Sequence, residues 1–166
     1  MSALEQEFLK LINGNKAIIY KISRIYMDDP EDIADLYQEM VLQLWISYPN
    51  FKGESAFSTW MYRVCLNTAL TFFKKKKKKD GIFSSFEITG MDRADSSIDS
   101  SKIELLYKAI KKLNDVEKAI IILFLEDKSH KEIGELLGIS EGNARIRLHR
   151  AKDKLKEIIN QYQHEF

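Results

Sequence analysis

The side chains whose types and spacing suit a chemical task are those that could bind nucleic acid. Between residues 60 and 74, five of them recur at intervals of 3, 4, 4 and 3, which places them along one line of a helix. They combine a ring on which a base can stack with hydrogen-bonding groups and cations, and they are Trp60, Arg63, Asn67, Thr71 and Lys74. The preceding segment, residues 51–57, adds two phenylalanines and a glycine in a predicted loop, in which Ser55 is expected to cap the helix.

A second candidate site lies near the C-terminus, where residues 129–155 have the spacing of a helix-turn-helix. Gly134 permits close helix contact, Gly138 supplies the turn, and Ser140 caps the second helix. Arginine and asparagine can bind base edges in a major groove, and lysine can bind phosphates. The polar line and flanks of this second helix are Asn143, Arg145, Arg147, His149, Arg150, Lys152 and Lys154. A solvated basic face on a structural helix is the alternative interpretation.

Residue patterns for catalysis or metal binding are missing from the sequence. The three histidines, His130, His149 and His164, lack metal-ligand spacing, and the one cysteine, Cys65, cannot complete a zinc site. No glycine-rich phosphate loop follows a predicted strand, and the serines show no nucleophile elbow. We therefore expect no catalytic residue, no metal and no cofactor, so an enzyme is the least favoured class.

Composition and charge favour a soluble, helical, cytoplasmic protein. Of 166 residues, 45% are hydrophobic and 31% are charged, and only two are prolines, so long helices are unobstructed. The longest apolar run, residues 119–125, is too short to span a membrane, and the lone cysteine fits a reducing compartment. Net charge is +1, but residues 1–73 carry 6 basic and 9 acidic side chains, whereas residues 141–156 carry 6 and 2. This asymmetry suggests different partners for the two halves.

Periodicity predicts an all-α fold of two small helical domains. Residues 1–75 contain three amphipathic segments; the second begins at Asp29-Pro30-Glu31 and ends before Pro49. Residues 76–101 lose periodicity and gather Lys, Asp, Ser and Gly, which predicts a flexible linker. Helical spacing resumes in residues 102–166, where two helices precede the helix-turn-helix. No strand pattern occurs.

Two long stretches together resemble a known family. "EDIADLYQEMVLQLW" followed by "FKGESAFSTWMYRVCLNTAL" is similar to region two of bacterial RNA polymerase sigma factors of the extracytoplasmic-function (ECF) type. "LNDVEKAIIILFLEDKSHKEIGELLGISEGNARIRLHRAKDKL" is similar to their region four. The two stretches stand in the family's order, are joined by a linker and lack region three. The resemblance therefore implies a sigma factor that recruits polymerase and melts promoters.

The resemblance also implies partners and site residues. The partners would be core RNA polymerase, through the β′ clamp and the β flap, and promoter DNA, both single-stranded and duplex. A membrane-associated anti-sigma factor is common in the family, and the free chain would be monomeric. The polymerase-binding residues would be Asp35, Gln38, Glu39 and Leu42. The minus-ten residues would be Lys52, Gly53, Ser55, Ala56, Phe57, Trp60, Arg63, Asn67 and Lys74, and the minus-thirty-five residues Asn143, Arg145, Arg147, His149, Arg150 and Lys154.

Three places depart from the family's pattern. The second helix of the helix-turn-helix has Gly142-Asn143-Ala144 where the family often has Gly-Thr-Val, and Ile146 stands where a small polar residue is common. Cys65-Leu66 replaces a small-then-polar pair. The promoter sequence is therefore not carried over from the family.

Two other classes of function remain open at the level of sequence. A helix-turn-helix regulator that acts without polymerase would explain the C-terminal half alone, and an adaptor bundle would bind only proteins. The run of six lysines at 74–79 is either a solvated charge run or a salt-sensitive phosphate contact.

Overall fold

The computed structural model describes residues 1–79 and 98–164, with side chains for residues 1–75 and 101–164. Within these ranges the secondary structure consists of seven α-helices and one 3₁₀ turn, with no strand, which confirms the all-α class. Backbone contacts divide the chain into two compact units, Met1–Ser85 and Phe86–Phe166. Most of the predicted linker, residues 80–97, lies outside the described residues.

The first unit is built from three helices, and local capping explains where two of them begin. They are α1 (Ala3–Tyr26), α2 (Pro30–Ser47) and α3 (Phe57–Lys79), with the 3₁₀ turn Tyr48–Asn50 after α2. Ser2 and Glu5 form a capping box at the start of α1. The Asp29 side chain accepts from the Glu31 amide, and Pro30 occupies the first turn of α2, as predicted.

The core of the first unit forms where the three helices pack against one another. Helix α1 packs against α2, and Ile19 and Ile22 of α1 are fully shielded from solvent. Helix α3 is apolar on two sides, as predicted for a helix wedged between neighbours. The core side chains of α2 and α3 are Leu36, Met40, Leu44, Met61, Tyr62, Cys65, Leu66 and Ala69.

The second unit contains four helices: α4 (Ile98–Lys111), α5 (Asp115–Leu125), α6 (His130–Leu137) and α7 (Glu141–His164). Asn114 and Glu117 form a capping box on α5, and Ser129 caps α6. Helix α7 packs against α4, α5 and α6, and it buries Ala144, Leu148 and Ala151.

Two helix boundaries differ from the sequence-based expectation. Helix α3 continues to Lys79 and α4 begins at Ile98, so both helices extend into the segment predicted as linker. The apolar periodicity ends before the lysines, but lysine itself favours the helical state, so periodicity placed the end of α3 too early. The expected cap at Ser55 is also wrong, because α3 begins at Phe57 and the Ser55 hydroxyl donates to the Ala56 carbonyl at 3.2 Å.

Candidate nucleic-acid interface

The outer face of α2 carries polar side chains on a helix whose opposite face is core. Asp35 and Gln38 are exposed. The half-buried Glu39 accepts, at its Oε1, a hydrogen bond of 3.0 Å from the side-chain Nε2 of Gln43. Leu42 is 48% exposed, and Ile46, one turn later, is 57% exposed. We call Asp35, Gln38, Glu39, Leu42 and Ile46 the α2 outer face. Ile46 was missed by sequence analysis, although its position four residues after Leu42 signalled it.

The segment between α2 and α3 is anchored by an aromatic cluster. The Trp60 ring centroid lies 5.1 Å from that of Phe51 and 5.4 Å from that of Phe57. Tyr48 lies within 6.4 Å of all three rings. Burial raises the pKa of Tyr48, and so does the nearby Glu7 carboxylate. The cluster leaves Phe51, Phe57 and Trp60 half-buried, so these rings support the loop and part of their surface remains accessible to solvent.

The loop itself exposes small and basic residues. Gly53 has φ +73°, in the left-handed region, and a Cβ added there would meet nothing within 4 Å. Backbone conformation, rather than space, therefore explains glycine at this position. Lys52, Ser55 and Ala56 are exposed beside it. These predicted minus-ten residues therefore lie on one exposed segment, whereas Phe57 belongs to the aromatic cluster.

The predicted line on α3 lies on one exposed face. Arg63, Asn67, Thr71 and Lys74 are exposed, while Trp60 at its start is half-buried. Asn67 and Thr71 also line a groove between α2 and α3, whose other wall includes Glu39 and Gln43. The structure thus brings the line of α3 next to part of the α2 outer face, a proximity that helical spacing could not indicate.

The helix-turn-helix is held together by a tight contact between α6 and the turn. Gly138 has φ +73° and ends α6. The amide of Ile139 donates to the Gly134 carbonyl at 2.9 Å, and a Cβ on Gly134 would lie 2.6 Å from the Ile139 carbonyl oxygen. The Ser140 hydroxyl accepts a hydrogen bond of 3.1 Å from the backbone N–H of Asn143. The predicted roles of Gly134, Gly138 and Ser140 are therefore confirmed.

The six predicted duplex-binding side chains of α7 are all exposed. Several of them make contacts along the helix. Arg147 Nε donates a hydrogen bond to Asn143 Oδ1 at 3.2 Å. Arg145 Nη2 lies 3.6 Å from Glu141 Oε1, and His149 Nε2 lies 3.3 Å from Asp153 Oδ2. These i,i+4 pairs are exposed and therefore weak, so a stronger partner can replace them. These exposed side chains of α7 are therefore accessible to a ligand from outside the protein.

Lys154 and Lys152 also have partners within the protein. Lys154 Nζ lies 3.1 Å from Glu117 Oε1, the carboxylate that completes the capping box of α5. Lys152 Nζ lies 4.0 Å from the centroid of the Phe124 ring. Both contacts join α7 to α5, so these two lysines stabilise the packing of α7 in addition to any role in DNA binding.

Buried reactive groups form no alternative catalytic or metal-binding site in the ranges that the structure describes. Burial raises the pKa of the Cys65 thiol to about 12, so the thiolate needed for nucleophilic or metal chemistry does not form near neutral pH. Among residues 1–79 and 98–164, no group of three or more His, Cys, Asp or Glu side chains could hold a metal ion. No helix in the same ranges is long and apolar enough to cross a bilayer.

Known protein families match both halves of the chain. The family model "Sigma-70 region 2" covers residues 11–79, and "Sigma-70, region 4" covers residues 103–155. The ECF RNA polymerase sigma factor SigW of Bacillus subtilis is 24% identical over 93% of this chain and 90% of its own. The chain belongs to the ECF sigma factors of the sigma-70 family. The ECF sigma-E factor of Haemophilus influenzae is 29% identical over 77% of this sigma factor and 75% of its own chain.

Two solved structures share the fold of this ECF sigma factor. RpoE of Bartonella quintana, in complex with the anti-sigma factor NepR, has a TM-score of 0.72 and 20% identity, covering 94% of this chain and 96% of its own. CnrH, in complex with the cytosolic domain of CnrY, has a TM-score of 0.65 and 16% identity, covering 95% and 90%. Both structures show that the chain shares their fold.

Family membership establishes the function at the level of the whole chain. This protein is an alternative sigma factor that directs transcription initiation. Sigma factors are not enzymes. A helix-turn-helix regulator that acts without polymerase is disfavoured, because it would account for the C-terminal half alone, whereas the region 2 model matches residues 11–79.

Proposed function

We propose that the two units divide the work of promoter recognition. The first unit binds core RNA polymerase and holds the unwound minus-ten strand, and the second unit binds the minus-thirty-five element as duplex DNA. The observation that carries the proposal is that each unit exposes its own set of ligand-suited side chains on a helix whose other faces are core. The reaction belongs to polymerase, and the sigma factor contributes binding free energy without catalysis, metal or cofactor.

The α2 outer face is the proposed docking surface for the β′ clamp. Two carboxylates offer charge complementarity to a basic partner, while Leu42 and Ile46 offer apolar area that remains 48% and 57% exposed in the free chain. An apolar centre with a polar rim is the usual composition of a protein interface. The β flap is the proposed partner of the second unit, as family resemblance implies.

The loop at residues 51–57 and the line on α3 are proposed to hold the minus-ten strand. A base taken out of the stack needs a shaped pocket and apolar or aromatic walls. The exposed segment lies between Phe51 and Phe57, two members of the aromatic cluster that hold its ends. Its exposed residues are Lys52, Gly53, Ser55 and Ala56. Arg63, Asn67 and Lys74 continue along α3 on one exposed face and suit contacts with the phosphates and bases of the same strand.

Helix α7 is the proposed recognition helix for the minus-thirty-five duplex. A capped helix in a helix-turn-helix presents its first turns to base edges in the major groove. Asn143, Arg147 and Arg150 are exposed there and carry the hydrogen-bonding groups for adenine or guanine. Arg145, His149 and Lys154 flank them and suit phosphate contacts.

We also propose that an anti-sigma factor regulates this protein by covering these surfaces. The support is that RpoE of Bartonella quintana, a solved structure of similar fold, is a sigma factor in complex with the anti-sigma factor NepR. Membrane association of that partner, a monomeric free chain and a cytoplasmic location follow from the family resemblance.

Reconstituted transcription tests the proposal. Purified full-length chain and core polymerase are incubated with fragments of its own genome, and run-off transcripts are mapped. We expect promoter-specific transcripts that require both components. Their absence on every candidate promoter would contradict the proposed function.

A further inference from the structure

The solvent face of α7 contains one large apolar side chain among polar ones. Ile146 is 52% exposed. Its neighbours at one turn, Gly142, Asn143, His149 and Arg150, are all exposed, so Ile146 lies at the centre of the face that we assign to the duplex. An exposed β-branched residue in a helix has a lower helical propensity than alanine or lysine, and packing inside the protein does not offset that cost here.

Gly142, one turn earlier, leaves open space beside Ile146. A Cβ at Gly142 would meet nothing within 4 Å, so the fold does not require glycine at this position. Helical side chains lean toward the N-terminus of their helix. Ile146 therefore leans over Gly142, where no side chain keeps an approaching base edge away. The two positions carry no polar side chain, so they form an apolar patch flanked by Asn143 and Arg150.

We propose that Ile146 is a specificity-determining residue that packs against the 5-methyl group of a thymine in the minus-thirty-five duplex. This inference rests on the proposed placement of α7 in a major groove. Among the groups that base pairs present in that groove, the thymine methyl is the apolar one. Contact with Ile146 removes the methyl group from water, which is worth about a four-fold change in affinity. Asn143 and Arg150 bind the flanking positions by hydrogen bonds.

The test replaces the methyl group without changing the hydrogen bonds of the base. Holoenzyme assembled from the full chain and core polymerase is bound to promoters recovered by the transcription assay, first with the upstream element randomised. In the selected element, each thymine is then replaced by deoxyuridine, one at a time, and the dissociation constant is measured. Ile146→Ser is the test variant and Ile146→Val retains the methyl contact. Ile103→Ser is the matched control, because Ile103 is 51% exposed on α4 of the same unit.

We expect one thymine whose replacement by deoxyuridine weakens binding of the unaltered protein by about four-fold. The same replacement should leave binding of Ile146→Ser unchanged and still weaken Ile146→Val and Ile103→Ser. The inference is overturned if no thymine responds, or if deoxyuridine has the same effect on Ile146→Ser as on the unaltered chain. That second result would also be obtained if Ile146 contacts a protein or the sugar-phosphate backbone. Transcription without protection of the upstream duplex would instead refute the proposed role of α7.

Discussion

Replacing Gly134 by alanine should destabilise the second unit, because backbone atoms occupy the space that a methyl group needs. The added Cβ would lie 2.6 Å from the Ile139 carbonyl oxygen and 3.3 Å from the carbonyl group of Ser140. The Ile139 amide is itself hydrogen-bonded to the Gly134 carbonyl at 2.9 Å, so the turn cannot move away without losing that bond. Relieving such a contact costs about 3 kcal/mol at the upper end of overpacking effects.

Helix propensity acts in the opposite direction and sets the net magnitude. Alanine is more favourable than glycine inside a helix by about 1 kcal/mol, so the expected loss of unfolding free energy is roughly 2 kcal/mol. For a unit of this size that corresponds to a fall in melting temperature of roughly 10 °C. Gly14→Ala is the matched control, because its Cβ would meet nothing within 4 Å and should stabilise the first unit by about 1 kcal/mol.

The assay can separate the units because both tryptophans, Trp45 and Trp60, lie in the first. Tryptophan fluorescence therefore follows unfolding of the first unit, and circular dichroism follows both. Gly134→Ala should lower the melting transition seen by circular dichroism and leave the fluorescence transition in place. A Gly134→Ala protein whose second unit melts at or above the temperature of the unaltered chain would refute the steric argument.

Three further predictions concern single residues. Gly53→Ala places alanine at φ +73°, which strains the loop by about 1–2 kcal/mol. In the holoenzyme, the permanganate reactivity of unpaired thymines should fall several-fold, while protection of the upstream duplex is unchanged. Unchanged permanganate reactivity would contradict the proposed role of the loop in holding the minus-ten strand. Lys154→Gln should reduce the slope of log Kd against log salt by about one for the upstream duplex, whereas an unaltered slope would show that Lys154 serves only its contact with Glu117. Burial raises the pKa of the Cys65 thiol from 9.0 to about 12 in the folded protein. The thiol therefore ionises first in the unfolded chain, so the free energy of unfolding should decrease as pH rises above 9.0. Cys65→Ala should lack this decrease, and an identical pH dependence of stability in both proteins would contradict the prediction.

Local signals were sufficient to predict most of the helical framework. Asp29 and Pro30 marked the start of α2 because capping and proline geometry depend on neighbouring residues alone. Gly138 and Ser140 marked the helix-turn-helix for the same reason. The end of α3 was misplaced because the lysines after Lys75 carry no apolar period, although lysine favours the helical backbone.

The remaining features depend on packing between distant segments. The contact between Lys154 and Glu117 joins residues 37 positions apart, and no local pattern indicates it. The groove that brings Asn67 next to Glu39 likewise requires α2 and α3 to be packed. Trp60 was identified as part of an exposed line, but its contacts with Phe51 and Phe57 became visible only when the loop was folded against α3.

The division of labour between the units is tested most directly by measuring two affinities on matched variants. Asp35→Ala combined with Glu39→Ala should weaken binding to core polymerase by about ten-fold or more. Arg147→Ala should leave that affinity within about two-fold and weaken protection of the minus-thirty-five duplex in the holoenzyme by about ten-fold. If both proteins lose the same function to the same extent, the two units do not act separately, and the account is contradicted.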